Sequence, residues 1–163
     1  MPLTIPTTPW RIWQAAAGEA DVDRAIRDLY AALDSAVRAH APLCWRSGRC
    51  CSFDNFDHRL YVTGLEIAWV LAQLPREQTD RARATVQPTG ACVFQLDGQC
   101  SVHAVRPMGC RIFFCQHGTA GWQGELYERF LTDLRTLHET HDLPYRYMEW
   151  RAGLLDAAAH GLM

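Results

Sequence analysis

Apolar residues recur at intervals of three and four along much of the chain, which is the spacing of a buried helix face. The first clear stripe consists of Val22, Ile26, Leu29, Leu33 and Val37. It predicts an amphipathic helix over residues 19–40, which ends before Pro42 because proline cannot continue a helix. The residues ahead of it, 1–18, contain three prolines and are expected to form a proline-rich arm.

Helices are also expected in the middle and at the end of the chain. Thr63 and Glu66 have the spacing of a capping box, and LEIAWVLAQL after them predicts a mostly buried helix that Pro75 terminates. The polar segment 76–86 predicts a short solvated helix. An apolar stripe predicts one more helix near 126–137, and YRYMEWRAGLLDAAAHG predicts a last one that ends near Gly161. The fold is therefore expected to be mainly α.

One segment, ACVFQLDGQCSVHAV, alternates instead and predicts a β-hairpin centred on its Asp-Gly pair. A two-residue loop would pair Gln95 with Cys100 and turn Cys92 and Cys100 to opposite faces of the ribbon. A three-residue loop with Gly98 in a bulge would pair Phe94 with Cys100 and bring the two cysteines onto one face. We expect the bulged register, because convergent thiols require it.

Composition and charge exclude several classes of protein. The 163 residues are 48% hydrophobic and 21% charged, which suits one globular domain, placed at 19–163 after the arm. Sixteen basic residues are scattered among 18 acidic ones, a pattern that argues against nucleic-acid binding. No apolar stretch approaches the roughly 18 residues of a membrane span, and the first residues do not resemble a secretory signal. We therefore expect a cytoplasmic protein.

The cysteines carry the candidate chemistry. The seven of them lie in an early and a later group: Cys44, Cys50 and Cys51, then Cys92, Cys100, Cys110 and Cys115. In a reducing compartment stable disulfides are rare, and an odd count would leave one thiol over. Cysteines that serve as small core residues would be scattered rather than confined to 44–115. The sequence thus predicts a small helical domain around one hairpin and a cysteine-ligated metal centre.

The spacing restricts the metal. Zinc ribbons and bacterial ferredoxin runs use C-x2-C, which is absent, and only Cys110 and Cys115 have a zinc-like separation. Seven thiols exceed what one zinc ion needs, whereas the ligands of an iron-sulfur cluster can be spread widely along a chain. We favour an iron-sulfur cluster of the four-iron kind. The alternative is a structural zinc module for protein-protein interaction.

The stretches CWRSGRCC and CVFQLDGQCSVHAVRPMGCRIF resemble the YkgJ-type cysteine-cluster family of zinc- or iron-chelating proteins. Its pattern is C-x2-C-x2-C-C, then C-x-F-L, C-S-I-Y and R-P-x-x-C-R-x-F. Cys44, Cys50 and Cys51 match the first motif, but Ser47 stands at its second cysteine. A hydroxyl is a poor ligand for a soft metal, so Cys115 is a candidate replacement. A related domain in flagellin lysine N-methylase implies an iron-sulfur cluster.

Charged and histidine side chains near the cysteines are further candidates. Arg106 and Arg111 flank Cys110, and either guanidinium could stabilise a negatively charged cluster and tune its potential. The alternative for Arg106 is that it only braces a turn through backbone carbonyls. His103 and His117 are weaker candidates to replace the missing thiol.

Such a centre is expected to serve electron transfer, redox sensing or a partner enzyme, so we expect a protein redox or enzyme partner. A Cys-His nucleophilic enzyme would leave six thiols unexplained, and no phosphate-binding loop, nucleotide fingerprint or H-E-x-x-H helix is present. Whether the protein is itself an enzyme stays open. A pocket beside the metal site, large enough for a small molecule, would favour that reading.

Overall fold

The structure is a computed structural model that describes residues 8–44 and 47–163. Its helices are α1 Pro9–Ala17, α2 Ala20–Ala39, α3 Gly64–Ala72, α4 Arg76–Thr85, α5 Met108–Ile112, α6 Ala120–Thr140 and α7 Trp150–Ala159. Its strands are β1 Tyr61–Thr63, β2 Gln95–Leu96, β3 Gln99–Cys100 and β4 Tyr147–Glu149. Short 3-10 turns cover Arg49–Cys51 and His103–Val105. The expectation of a mainly α fold is confirmed.

Helix α1 lies where the proline-rich arm was expected. Pro9 occupies the first turn, where a missing N–H costs nothing and the fixed φ suits a helix. Trp10 and Trp13 are both buried, and Gly64 at the start of α3 leaves the space that the Trp13 ring fills. Two tryptophans give this short helix enough apolar surface to pack on the domain. Residues 1–7 of the expected arm lie outside the described residues.

The core forms where the predicted stripes meet. Helix α2 buries Val22, Ile26, Leu33 and Val37 as expected, with Tyr30 in place of the partly exposed Leu29. Helix α3 is buried along eight of its nine residues, which explains its nearly continuous apolar sequence. None of the helices in the described ranges is both long and apolar enough to cross a membrane.

The predicted capping box starts α3 and extends into the core. The Thr63 hydroxyl accepts the Glu66 N–H at 3.2 Å, and the Glu66 carboxylate accepts the Thr63 N–H at 2.8 Å. Glu66 also accepts the Tyr30 hydroxyl at 3.0 Å and the Met108 N–H at 2.9 Å. Burial raises the pKa of this carboxyl group. One side chain thereby ties α2, α3 and the first residue of α5 together.

Two small antiparallel sheets complete the described fold. Strand β1 pairs with β4, with Tyr61 opposite Glu149, and so joins the middle of the chain to its last helix. Strands β2 and β3 form the predicted hairpin, with Gln95 opposite Cys100.

The expected bulged register is wrong. Asp97 and Gly98 form a two-residue loop, and both have positive φ, 50° and 75°, as a type I′ turn requires. The Asp-Gly pair decides the loop length, because it adopts these angles easily. Strand alternation does not decide the direction of Cys92 either, because β2 begins at Gln95 and Cys92 lies ahead of it. Convergent thiols therefore need no bulge.

Candidate metal centre

The turn Arg49–Cys51 presents the two adjacent cysteines. Gly48 precedes it with φ 72°, and a Cβ there would collide with the backbone of Gly98 at the tip of the hairpin. The Gly48 carbonyl accepts the Cys51 N–H at 3.1 Å and the Gln95 side-chain amide at 3.0 Å. Because the chain bends here, the sulfur atoms of Cys50 and Cys51 lie only 3.9 Å apart. An extended chain would point them in opposite directions.

Five thiols come together at this turn, two from the turn itself and three from later in the chain, and we call them the inner thiols: Cys50, Cys51, Cys92, Cys100 and Cys110. Cys51 is at their centre, within hydrogen-bond reach of Cys50, Cys92 and Cys100. Its backbone carbonyl also accepts the Cys92 N–H at 2.7 Å. Cys110 projects from α5, near enough for charge on Cys92, Cys100 or Cys50 to raise the pKa of its thiol.

A cavity of about 380 Å³ opens beside the inner thiols. Arg106 and His103 line it, and the rings of Phe113 and Phe114 form an apolar part of its wall. Four of the inner thiols also line it: Cys50, Cys51, Cys100 and Cys110. Cys92 lies behind Cys51. One water occupies about 30 Å³ of liquid, so the cavity has room for a group of several atoms.

The inner thiols share protons unevenly. Hydrogen bonding from Cys51, aided by the charge of Arg106, lowers the pKa of Cys50 to about 6 and that of Cys100 to about 7. Cys51 itself has a strongly raised pKa, because its proton is held among three sulfurs. Burial raises the pKa of Cys110. Thiolate is the form that binds metal, and metal binding here would release the remaining protons.

Cys92 receives hydrogen bonds from outside the group of thiols. The indole Nε1 of Trp150 donates to its sulfur at 3.2 Å, and the backbone N–H of Phe94 donates as well. Together with the Cys51 thiol, these donors lower the pKa of Cys92 although the side chain is buried. Trp150 could not be predicted as a contact of the thiols, because nothing in its local sequence pattern refers to a cysteine 58 residues away.

Arg106, which the sequence predicts to bind the cofactor, lies beside the inner thiols, and its role stays a prediction. It lines the cavity, and its charge lowers the pKa of both Cys50 and Cys100. Its Nε is buried and has no hydrogen-bond partner in the part of the chain that the structure describes. A buried guanidinium N–H beside thiolates suits an anionic, sulfur-rich group that would accept its hydrogen bond.

Arg111 is directed elsewhere. Its guanidinium donates to Asp34 at 2.8 Å and to the carbonyls of Arg106 at 2.8 Å and Ala104 at 3.1 Å. It also lies over the ring of Tyr30, 4.3 Å from the centroid. Arg111 thus braces the turn before Cys110, which is the role that the sequence analysis considered for Arg106.

The remaining two cysteines, which we call the outer thiols, are Cys44 and Cys115. Cys115 lies 3.9 Å from the hydroxyl of Ser47, so it does stand beside the residue that replaces the second cysteine of the motif. Both outer thiols line a small cavity of about 50 Å³, which they share with Ser47 and Cys50. Cys44 is exposed and also borders the larger cavity.

The histidines differ in position. His103 and His117 are both exposed, and His103 also lines the larger cavity. His58 stacks on Phe113 with ring centroids 4.2 Å apart, and burial lowers its pKa. His58 and Phe113 also line a separate cavity of about 240 Å³. Its volume is below the 300–1,000 Å³ of typical ligand pockets.

The residues present fit a thiolate-bound metal group. Soft sulfur donors select zinc, copper(I) or iron-sulfur clusters, and the guanidinium of Arg106 supplies a positive charge to balance the thiolates. Within the described ranges, no group of three or more His, Cys, Asp or Glu side chains is arranged to hold a single metal ion. The inner thiols must therefore draw closer around one ion, or surround a larger group.

The comparisons agree with this assignment. One family model matches residues 43–127, just over half of the chain, and its description is CxxCxxCC, "Putative zinc- or iron-chelating domain". A search of curated proteins and a search of solved structures gave no match. The matched region includes every cysteine and both arginines of the predicted site. Since the match covers the whole cysteine segment, the chain belongs to the CxxCxxCC family and is a cysteine-ligated metal-binding protein.

Proposed function

We propose that the protein binds one four-iron cluster, [4Fe-4S], through four of the five inner thiols. The observation that carries this proposal is the arrangement of these thiols: four of them line a single cavity of about 380 Å³, and Cys92 contacts Cys51 directly behind it. Such clusters take about four cysteine ligands, which need not be adjacent in sequence. The inner group supplies five candidates, and one of them would remain a neighbour of the cluster.

The chain's own residues would fulfil three tasks toward such a cluster, whose chemistry is one-electron transfer. The inner thiols would hold it, and Arg106 would balance part of its negative charge. Phe113 and Phe114 would keep water from one side of the cavity. A less hydrated, hydrogen-bonded cluster has a different reduction potential from an exposed one.

The role we propose is electron transfer, redox sensing or service to a partner enzyme, in the reducing environment of the cytoplasm. The residues around the mouth of the cavity favour the proposal that the protein binds a protein partner. Gly98 and Gln99 of the hairpin tip border it, and two nearby side chains, Leu43 and Leu96, expose 57% and 37% of their surface. Exposed apolar side chains beside a redox centre suit a transient contact with another protein.

The test is to measure iron, zinc and acid-labile sulfide per chain in protein purified without oxygen and without chelator. We expect about four iron and four sulfide per chain, with a brown colour that bleaches in air. About one zinc and no sulfide would overturn the proposal. That result would support the alternative, a structural zinc module that presents a surface to a partner.

A further inference from the structure

Trp150 contacts the inner thiols from outside the segment that the family model matches. It is the first residue of α7, 1% exposed, and its Nε1 donates to the Cys92 sulfur at 3.2 Å. An indole N–H can only donate, and a buried donor without an acceptor is costly. Both atoms are buried, so this hydrogen bond is not shared with solvent. The family model ends at residue 127.

The fold fixes the indole in this position. The backbone N–H of Trp150 donates to the Leu60 carbonyl at 2.8 Å, directly after the β1–β4 pairing. Glu149 caps the helix that follows by accepting the Ala152 N–H at 2.9 Å. The indole ring packs against Phe94, with centroids 6.0 Å apart. Backbone pairing, helix capping and ring packing therefore fix the direction of the indole donor.

Other tryptophans of the core have different acceptors. The indole N–H groups of Trp10 and Trp69 donate to the carboxylates of Asp156 and Asp23, each at 2.8 Å. Trp13 donates to the carbonyl of Pro144 at 2.8 Å. Oxygen is the stronger acceptor, so a buried indole directed at sulfur indicates a sulfur that carries negative charge. A metal-bound thiolate meets that description.

We propose that Trp150 is a positioning residue of the metal centre, which orients the Cys92 thiolate through an N–H···S hydrogen bond and raises the reduction potential of the bound cluster. The inference rests on the proposed function, and it assigns Cys92 to the ligand set. Reduction adds an electron that is partly carried by the ligand sulfurs. A hydrogen bond to sulfur therefore stabilises the reduced cluster more than the oxidised one.

The first test compares reduction potentials. Trp150→Phe should lower the potential relative to the unchanged protein, with similar iron and sulfide content. Trp69→Phe, which removes an indole donor to an aspartate, should leave the potential unchanged. Phe94→Leu loosens the packing on Trp150 but keeps its N–H, and should shift the potential less than Trp150→Phe. Equal potentials for Trp150→Phe and the unchanged protein would overturn the inference.

A second measurement covers the case in which Trp150→Phe does not bind a cluster. Protein labelled with ¹⁵N in the indole nitrogen of tryptophan is reduced and studied by pulsed electron paramagnetic resonance. We expect a ¹⁵N coupling to the cluster, which should persist in Trp45→Phe, a position outside the described residues. A cluster without this coupling would overturn the inference alone. Absence of iron and sulfide from the unchanged protein would overturn the proposed function, and this inference with it.

Discussion

The inner and outer thiols have the same chemistry but different surroundings. Cys92 and Cys100 lie among other sulfurs and receive backbone N–H donors, from Phe94 and Val102. Cys115 has a serine hydroxyl beside it, and Cys44 is exposed. Both sets lie within the matched segment, so the sequence motif does not separate them. Burial, charge and hydrogen-bond donors distinguish the inner thiols from the outer thiols. These surroundings indicate which thiols can carry negative charge.

Removal of one inner thiol should have the largest effect. We expect Cys110→Ser to lose most of the bound iron and sulfide. Cys110 lines the cavity and comes from α5, whereas the other thiols that line it come from the loop before β1 and from the hairpin. Cys115→Ser is the matched control from the outer set and should keep both. The measurement is iron and sulfide per chain after anaerobic purification. Equal loss in the two variants would show that the division into inner and outer thiols is not functional.

Substitution of the two arginines should affect different properties: Arg111 the stability of the fold, and Arg106 the reduction potential of the cluster. Arg111→Ala should lower the free energy of unfolding by about 2–3 kcal/mol, because it leaves three buried or partly buried acceptors without a donor. The loss of stability is smaller than for a fully buried ion pair, because Asp34 is 32% exposed. Urea unfolding of the metal-free protein measures it.

Arg106→Ala is the companion variant, and it should change unfolding by less than Arg111→Ala does. Its effect should appear in the cluster instead, as a lower reduction potential, because a positive charge beside the cavity is removed. If Arg106→Ala were the more destabilising of the two in urea, Arg106 would be a structural brace after all.

Ser47→Cys restores the second cysteine of the family motif and should change little. The new thiol would stand near Cys115, in the outer set, and we expect unchanged iron and sulfide content. The double variant Ser47→Cys, Cys115→Ser refines the comparison. If Cys115→Ser lost iron and the added cysteine restored it, an outer position would be a ligand, and Cys115 would compensate for Ser47.

The smallest effect concerns pH. Burial lowers the pKa of His58, so the unfolded chain binds its proton more readily than the folded chain does. The neutral His58 therefore contributes its full stabilisation above about pH 6.5, the usual pKa of histidine. This contribution is lost as the pH falls through the lower pKa that His58 has in the folded protein. His58→Phe keeps the stack on Phe113 and should make the decline shallower. Urea midpoints of the metal-free protein between pH 7.5 and 5 measure this; an unchanged slope would contradict it.

The sequence predicted those features that depend on neighbours along the chain. The apolar stripe of α2 and the capping box of Thr63 and Glu66 are local, and both were correct. The resemblance of the cysteine segment to a family was also confirmed, because order and spacing are sequence properties.

Features that depend on distant contacts were missed or mistaken. The hairpin register was inferred from where two thiols were expected to point, although the local turn chemistry of Asp97 and Gly98 favoured the shorter loop. Helix α1 was missed because the three prolines of residues 1–18 and the short length of the helix hid the burial of Trp10 and Trp13. The roles of Arg106 and Arg111 could not be separated, since both flank Cys110 equally well in sequence.

The pairing of β1 with β4 bears on the order of events during protein synthesis. Strand β1 and the first cysteines leave the ribosome long before β4 and Trp150, which come from residues 147–150. Until then Cys92 lacks its indole donor, and β1 has no partner strand in the described fold. The surroundings of Cys92 are therefore complete only once Trp150 has been translated. A chain that ends before residue 147 therefore contains all seven cysteines but neither the β1–β4 pairing nor the indole donor of Cys92.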